Sequence, residues 1–316
     1  MIRSLALALA CMALATPALA QTRTPAPAPA ARGGGEVAME ELTLVWAKPG
    51  GTELSATVYR PRNAPRALPA LIDVHGGAWG SGDRTGDALY CRELAKTGLV
   101  VVSIDFRQAP AFRHPTSSAD IAAAVRFVRL NAQRLNADPA HVGLIGSSSG
   151  AHLALLEALR PEAAQHRGTP IADPSGAFAA HDDLSARVDY VIAMWPVSDP
   201  AARYRYAKRA NLTRLAEMSL AYFPDEAAMW DASIPRIVTS GEAATLPPIM
   251  VVQPGDDSNI PQDMTFDLLH AWQARGGKVD YAFYPGQPHA FGHRASPATS
   301  DLIRSVAAFI QRRLAE

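Results

Sequence analysis

Residues 141 to 153 read His141-Val-Gly-Leu-Ile-Gly146-Ser147-Ser148-Ser149-Gly150-Ala-His-Leu153. An apolar run enters a G-x-S-x-G turn and leaves it as a helix, and few folds can accommodate that sequence of events. The turn must be tight, and the glycines at both ends let neighbouring backbone pass close to it. Such a turn lifts its central residue, Ser148, clear of the chain. It also points the free N–H groups of the following helix at whatever sits there. A serine hydroxyl is a poor nucleophile, so chemistry at Ser148 requires a base and oxyanion donors beside it. The rest of the chain must supply them.

The flanking sequence predicts the architecture that mounts such a turn. Ala67 to Val74, Leu99 to Ile104, Val142 to Ile145, Val188 to Trp195, Ile249 to Gln253 and Val279 to Tyr284 are compact aliphatic runs. Helical stretches at about 84 to 97, 118 to 135, 262 to 275 and 298 to 314 lie between or after them. Alternation of this kind implies βαβ units and a parallel sheet buried on both faces. Leu42 to Trp46 and Leu54 to Tyr59, joined by Lys48-Pro-Gly-Gly51, add an antiparallel hairpin at the sheet edge. The expectation is an α/β fold with a mostly parallel eight-stranded sheet and helices on both faces.

Two stretches interrupt the rhythm. Residues 160–187 read as a polar loop, and 199–245 as a helical insertion of the kind that forms lids. Its aromatics Tyr204, Tyr206, Tyr222, Phe223 and Trp230 are expected to pack a small local core. Its cations Arg203, Arg205, Lys208, Arg209 and Arg214 are expected on a solvated helix face.

The ends and the charge balance bound the setting. Arg3, the apolar run from Leu5 to Leu14 and Ala18-Leu19-Ala20 read as a signal peptide cleaved after Ala20, which implies a secreted or periplasmic protein. Residues 21–35 (QTRTPAPAPAARGGG) read as a flexible tether, and 36–316 as the folded unit. Cleavage would leave Cys91 as the sole cysteine, so no disulfide is expected. Lys plus Arg and Asp plus Glu are equal at 30 each, so no global field draws nucleic acid or an anionic membrane. A small neutral molecule is the expected partner. No H-E-x-x-H, paired C-x-x-C or P-loop pattern occurs, so neither a metal nor a nucleotide cofactor is implied.

Three segments complete the expected site. His75-Gly76-Gly77-Ala78-Trp79 follows the strand ending at Val74, and a loop without side-chain bulk can turn its N–H groups toward a developing alkoxide. Gly77, Ala78 and Ser149 are therefore the expected oxyanion donors, with His75 bracing the loop. His289 opens a loop at the carboxyl end of a strand, where α/β sheets carry their sites. His293 is the runner-up base, His270 falls inside a helix, and His152 is expected to pack against the sheet. Asp256 and Asp257, at the end of another strand, supply two candidates for the acid that orients the histidine. Of the three serines, Ser148 should attack, the Ser149 hydroxyl should be incidental, and Ser147 should tolerate replacement by a residue of similar size.

Taken together, His75-Gly-Gly-Ala-Trp79, Asp105-Phe-Arg-Gln-Ala-Pro110 and Gly146-Ser-Ser-Ser-Gly150 resemble the hormone-sensitive-lipase-like branch of the α/β-hydrolase family, especially its acetyl-esterase and feruloyl-esterase-like members. The likeness covers roughly residues 36 to 316. It implies a cofactor-free serine esterase acting on a small-molecule ester or an acylated carbohydrate such as plant polysaccharide. It also ranks Asp257 first, because Gln253-Pro-Gly-Asp-Asp257-Ser-Asn-Ile-Pro261 is similar to the family's H-G-x-x-D-x-x-V-P stretch. Ala78 and Ser149 stand where many relatives have glycine and alanine. The H-G-G-x-W form also resembles acylformamidases, including kynurenine formamidase, an alternative that an export signal disfavours. A noncatalytic binding module on a hydrolase scaffold would be expected to have lost a triad member, and none is missing.

Overall fold

A computed structural model describes residues 37–316. The expected signal peptide and tether, with Glu36, lie outside the described residues. Ten strands form one sheet: β1 (Met39–Ala47), β2 (Leu54–Pro61), β3 (Leu68–Val74), β4 (Val100–Ile104), β5 (Ala137–Ser147), β6 (Ile171–Ala172), β7 (Phe178–Ala179), β8 (Val191–Met194), β9 (Ile249–Asp256) and β10 (Val279–Pro288). Their order across the sheet is β10-β9-β8-β5-β3-β4-β2-β1-β6-β7. The six strands from β10 to β4 run parallel. The remaining pairings, β2 on β4, β1 on β2, β6 on β1 and β7 on β6, are antiparallel.

Eight of these strands are the ones the aliphatic runs predict. The other two correct the expected count, because β6 and β7 come from the segment read as a polar loop. Each is two residues long, too short to show a period of two. They also move the β1–β2 hairpin inward from the sheet edge by capping it.

The helices are α1 (Ala88–Ala95), α2 (Thr116–Leu130), α3 (Ala132–Leu135), α4 (Ser149–Leu159), α5 (Pro200–Arg209), α6 (Thr213–Tyr222), α7 (Glu226–Asp231), α8 (Ile234–Ser240), α9 (Gln262–Ala274) and α10 (Pro297–Leu314). Alternation along each strand sends its side chains to two separate cores. Ala70, Ile72 and Val74 of β3 join the core under α2, α4, α8 and α9, whereas Leu71 joins the one under α1 and α10. Helix α10 shows how locally such an element is encoded. Ser296 caps it by accepting the Thr299 N–H at 3.0 Å, and Pro297 occupies the first turn, where no N–H is missed. Leu302, Val306, Phe309 and Ile310 recur at helical spacing and are buried.

The sheet order positions the site. From β3 the chain passes to β4 on one side, then crosses back over β3 to place β5 on the other. The strand order therefore reverses between β3 and β5, and ligands of open α/β sheets bind beyond the carboxyl ends of strands at such a point. The H-G-G loop leaves β3 there, and the G-x-S-x-G turn leaves β5.

Candidate active site

Ser148 sits between β5 and α4 with φ 54° and ψ −118°, a conformation that L-residues avoid and that neighbouring bonds must hold. Its N–H donates to the Met194 carbonyl at 2.9 Å, and its carbonyl accepts from Val197 at 3.2 Å. The framing glycines are required by contact. A Cβ on Gly146 would lie 2.6 Å from the Gly150 carbonyl, and one on Gly150 would lie 2.0 Å from the Val74 carbonyl. The turn is thus wedged against the end of β3.

His289 follows β10 and reaches back across the sheet edge. Its Nε2 lies 3.1 Å from Ser148 Oγ, and its Nδ1 lies 2.8 Å from Asp257 Oδ2. With Nδ1–H donating to the carboxylate, Nε2 is left to accept from the serine hydroxyl. The Asp257 side chain is fully buried. Its other oxygen accepts the N–H groups of Asn259 and Ile260, both at 2.8 Å. The adjacent Asp256 is exposed, so of the two carboxylates the fold brings Asp257 to the histidine. His293 turns to Asp87 at 2.8 Å rather than to Ser148, and His270 lies exposed within α9 as expected.

The H-G-G-x-W loop is pressed against the serine turn. A Cβ on Gly76 would meet Ser148 Cβ at 3.2 Å, and one on Gly77, at φ 119°, would lie 1.9 Å from the Ser81 carbonyl. Among the described residues, no acceptor takes the N–H of Gly77, Ala78 or Ser149. Ser149 follows Ser148 directly, and Gly77 and Ala78 follow Gly76, the residue packed against Ser148. His75 braces the loop: its ring stacks on Phe106 at 4.4 Å and its Nδ1 donates to the Gly76 carbonyl at 2.7 Å.

Three expectations are corrected here. The Ser149 hydroxyl is not incidental, because it accepts the Trp79 N–H at 3.1 Å and so fastens the glycine loop to α4. Ser147 is fully buried and donates to Asp87 Oδ2 at 3.3 Å, so a residue of similar size without a hydroxyl would leave that bond unmade. His152 does not simply pack on the sheet. Burial pushes its pKa down to about 3, so the neutral ring donates from Nε2 to the Ala232 carbonyl at 2.9 Å. Its Nδ1 accepts the Trp79 indole N–H at 3.3 Å.

The insertion also departs from expectation. Tyr222 stacks on Trp79 at 5.5 Å and Phe223 meets its edge at 5.1 Å, so these aromatics dock the insertion onto the glycine loop instead of forming only a local core. Tyr204 is buried, Tyr206 donates to the Ser258 carbonyl at 2.9 Å, and Trp230 is half exposed. Arg205, Lys208, Arg209 and Arg214 are solvated as predicted. Arg203 is not. It lies buried over the Trp79 ring at 5.5 Å and donates to Asn259 Oδ1 at 2.9 Å, with burial lowering its pKa to about 10. Trp195, which the sequence did not single out, places its ring 6.3 Å from that of His289.

A doubly wound parallel sheet whose β5–α4 turn carries a serine bonded through histidine to aspartate defines the α/β-hydrolase class. Within that class, a BD-FAE family model matches residues 57–272, more than half of the chain. The protein belongs to the BD-FAE family. It is 27% identical to Esterase LipC of Mycobacterium tuberculosis over 262 residues, which covers 81% of this chain and 61% of that protein. It is 26% identical to the isoprenylcysteine alpha-carbonyl methylesterase ICME of Arabidopsis thaliana over 233 residues, 73% of this chain and 52% of that one. The chain thus spans about half to three-fifths of the length of these relatives. Among solved structures, a hyperthermophilic esterase from the archaeon Pyrobaculum calidifontis has a TM-score of 0.68 at 24% identity, covering 88% of this chain and 87% of its own. The carboxylesterase EstE1, cloned from a metagenomic library, matches with a TM-score of 0.68 at 22% identity, covering 88% and 89%.

Proposed function

We propose that this protein is a serine hydrolase that cleaves carboxylic esters through an acyl-enzyme. The observation that carries the proposal is the unbroken Ser148–His289–Asp257 relay at 3.1 and 2.8 Å, with Ser148 mounted on a strained turn. Ser148 Oγ attacks the ester carbonyl carbon as its proton passes to His289 Nε2. The carbonyl oxygen becomes an alkoxide held by the N–H groups of Gly77, Ala78 and Ser149. As the intermediate collapses, His289 returns the proton to the leaving alcohol and leaves an acylated Ser148. Water, deprotonated by His289, then attacks the acyl carbon; the acyl–Oγ bond breaks as His289 returns the proton to Ser148 Oγ, and the carboxylic acid leaves. Asp257 keeps Nδ1–H of His289 pointed away from Ser148 and stabilises the imidazolium.

Residues 1–20 support export, and the motif likeness supports acetyl or other short acyl esters, including those on plant polysaccharide, as substrates. Rates on acetyl, butyryl, octanoyl and feruloyl esters, acetylated xylan and a formamide test the reading, together with fluorophosphonate labelling. Labelling at Ser148 and turnover of the short esters are expected. A protein that stays unlabelled and inert on every ester would overturn the proposal.

The two adjacent carboxylates give a sharper result. Asp257→Asn is expected to lower kcat on p-nitrophenyl acetate by about 10³–10⁴-fold, because an amide can present the wrong partner to Nδ1 and release the histidine tautomer. Asp256→Asn, at an exposed position, should stay within about twofold of the parent, since surface substitutions away from a site change little. Steady-state kinetics on both variants at neutral pH check the pair. Equal losses would contradict the assignment.

A further inference from the structure

Asp87 occupies the N-cap position of α1, where an aspartate ordinarily accepts an N–H from the first helical turn. It makes no such bond. Its carboxyl is 1% exposed and turns inward, with each oxygen committed to a different part of the site. Oδ2 accepts the hydroxyl of Ser147, the residue before Ser148, at 3.3 Å. Oδ1 lies 2.8 Å from Nε2 of His293, four residues after His289 on the same loop. A helix-capping role therefore does not explain this aspartate.

The groups around it keep the bridge distinct. Asp73 is fully buried nearby, and burial, assisted by the charge of Asp87, raises its pKa well above the usual carboxylate range. Asp73 is satisfied by Tyr90 and Ser103, at 2.8 and 2.6 Å, so it does not compete for His293. On its other side the histidine loop rests on Trp195. That ring lies 6.3 Å from His289 and 5.9 Å from His293, and a Cβ on Gly292 would meet it at 2.9 Å. The loop is thus held between an indole directly after β8 and a carboxyl at the N-cap of α1.

We infer that Asp87 is a positioning residue for the proposed ester hydrolysis, tying the end of the strand that leads into Ser148 to the loop that carries His289 through Ser147 and His293. Asp87 and Ser147 are buried, so they act through the residues they hold. The bridge fixes the distance across which the proton moves, and a misplacement of about 1 Å in such a pair can cost about 100-fold in rate. The inference rests on the assignment of Ser148 and His289.

Four variants of the full chain test it with p-nitrophenyl acetate: Asp87→Asn, His293→Leu, His293→Gln and the double variant Asp87→Asn/His293→Leu. Asp87→Asn and His293→Leu should each lower kcat by about 10–100-fold with KM within about twofold. The double variant should be no worse than the poorer single one. His293→Gln, whose Nε2 can still donate to Asp87, should recover most of the rate. Equal losses in His293→Gln and His293→Leu would overturn the inference. So would full additivity, or kcat within about twofold of the parent in folded Asp87→Asn. If Asp87→Asn does not fold, the two His293 variants decide, because that side chain is one-third exposed. Turnover retained by Ser148→Ala would instead refute the nucleophile assignment, whatever the Asp87 and His293 variants show.

Discussion

Ser148→Ala is expected to lower kcat on a short p-nitrophenyl ester by about 10⁵–10⁶-fold, the scale seen when a serine nucleophile is removed from an intact relay. Melting temperature should change by no more than about 2 °C, because the substitution removes one exposed-side oxygen and keeps the Cβ. The backbone strain at φ 54° is unaltered, since alanine and serine meet the same restriction there. Binding should survive, because the N–H groups of Gly77, Ala78 and Ser149 belong to the backbone. The variant should therefore bind a nonhydrolysed ester with a Kd near the parent's while failing to react with a fluorophosphonate. Kinetics, labelling and a thermal melt together check the prediction. A variant that melts normally and still turns over ester at the parental rate would remove Ser148 from the chemistry.

Gly150→Ala is the second large effect, and it falls first on stability. The added Cβ would lie 2.0 Å from the Val74 carbonyl and 2.4 Å from that of His75, and neither atom belongs to a flexible side chain. Either α4 must withdraw or the end of β3 must bend, and overpacking of that kind costs about 3 kcal/mol. At roughly 2–4 °C per kcal/mol for a domain of this order, the melting temperature should fall by about 6–12 °C. Activity should fall with it in the folded fraction, because β3 feeds the glycine loop. Differential scanning calorimetry and the rate per labelled active site separate the two effects. A melting temperature within about 1 °C of the parent's would show that the turn is not wedged against β3 as described.

Much of this arrangement is legible in the sequence, because parallel strands and the helices that cover them announce themselves by unbroken aliphatic runs and 3.6-residue periodicity. Ser148 and His289 were legible for the same reason: each stands at a strand end with turn residues around it. Asp256 and Asp257 could not be separated by position alone. What separates them is the direction of two backbone N–H groups, those of Asn259 and Ile260, and turn geometry at that scale leaves no periodic trace in sequence. The roles of the Ser147 and Ser149 hydroxyls leave no local trace, because their partners, Asp87 and Trp79, lie 60 and 70 residues away in the chain. Arg203 reads as solvated because a cation on an amphipathic helix usually is. Here the helix face it occupies is covered by an indole and an asparagine from two different loops. The strands β6 and β7 escaped because two residues cannot display an alternation.

The stacking of Tyr222 and Phe223 on Trp79 bears on how this scaffold could be re-engineered. Residues 199–245 look like a cassette that could be exchanged with that of a relative to alter substrate choice, yet the cassette and the glycine loop share a joint. Trp79 is simultaneously the floor on which the cassette rests and the residue whose N–H and indole hold the loop to Ser149 and His152. A transplanted insertion that lacks two aromatics at the positions of Tyr222 and Phe223 would loosen the glycine loop proposed to bind the alkoxide along with the pocket. Recombination between members of the fold should therefore exchange the loop and the insertion as one block, with the crossover placed before His75 and after Thr245.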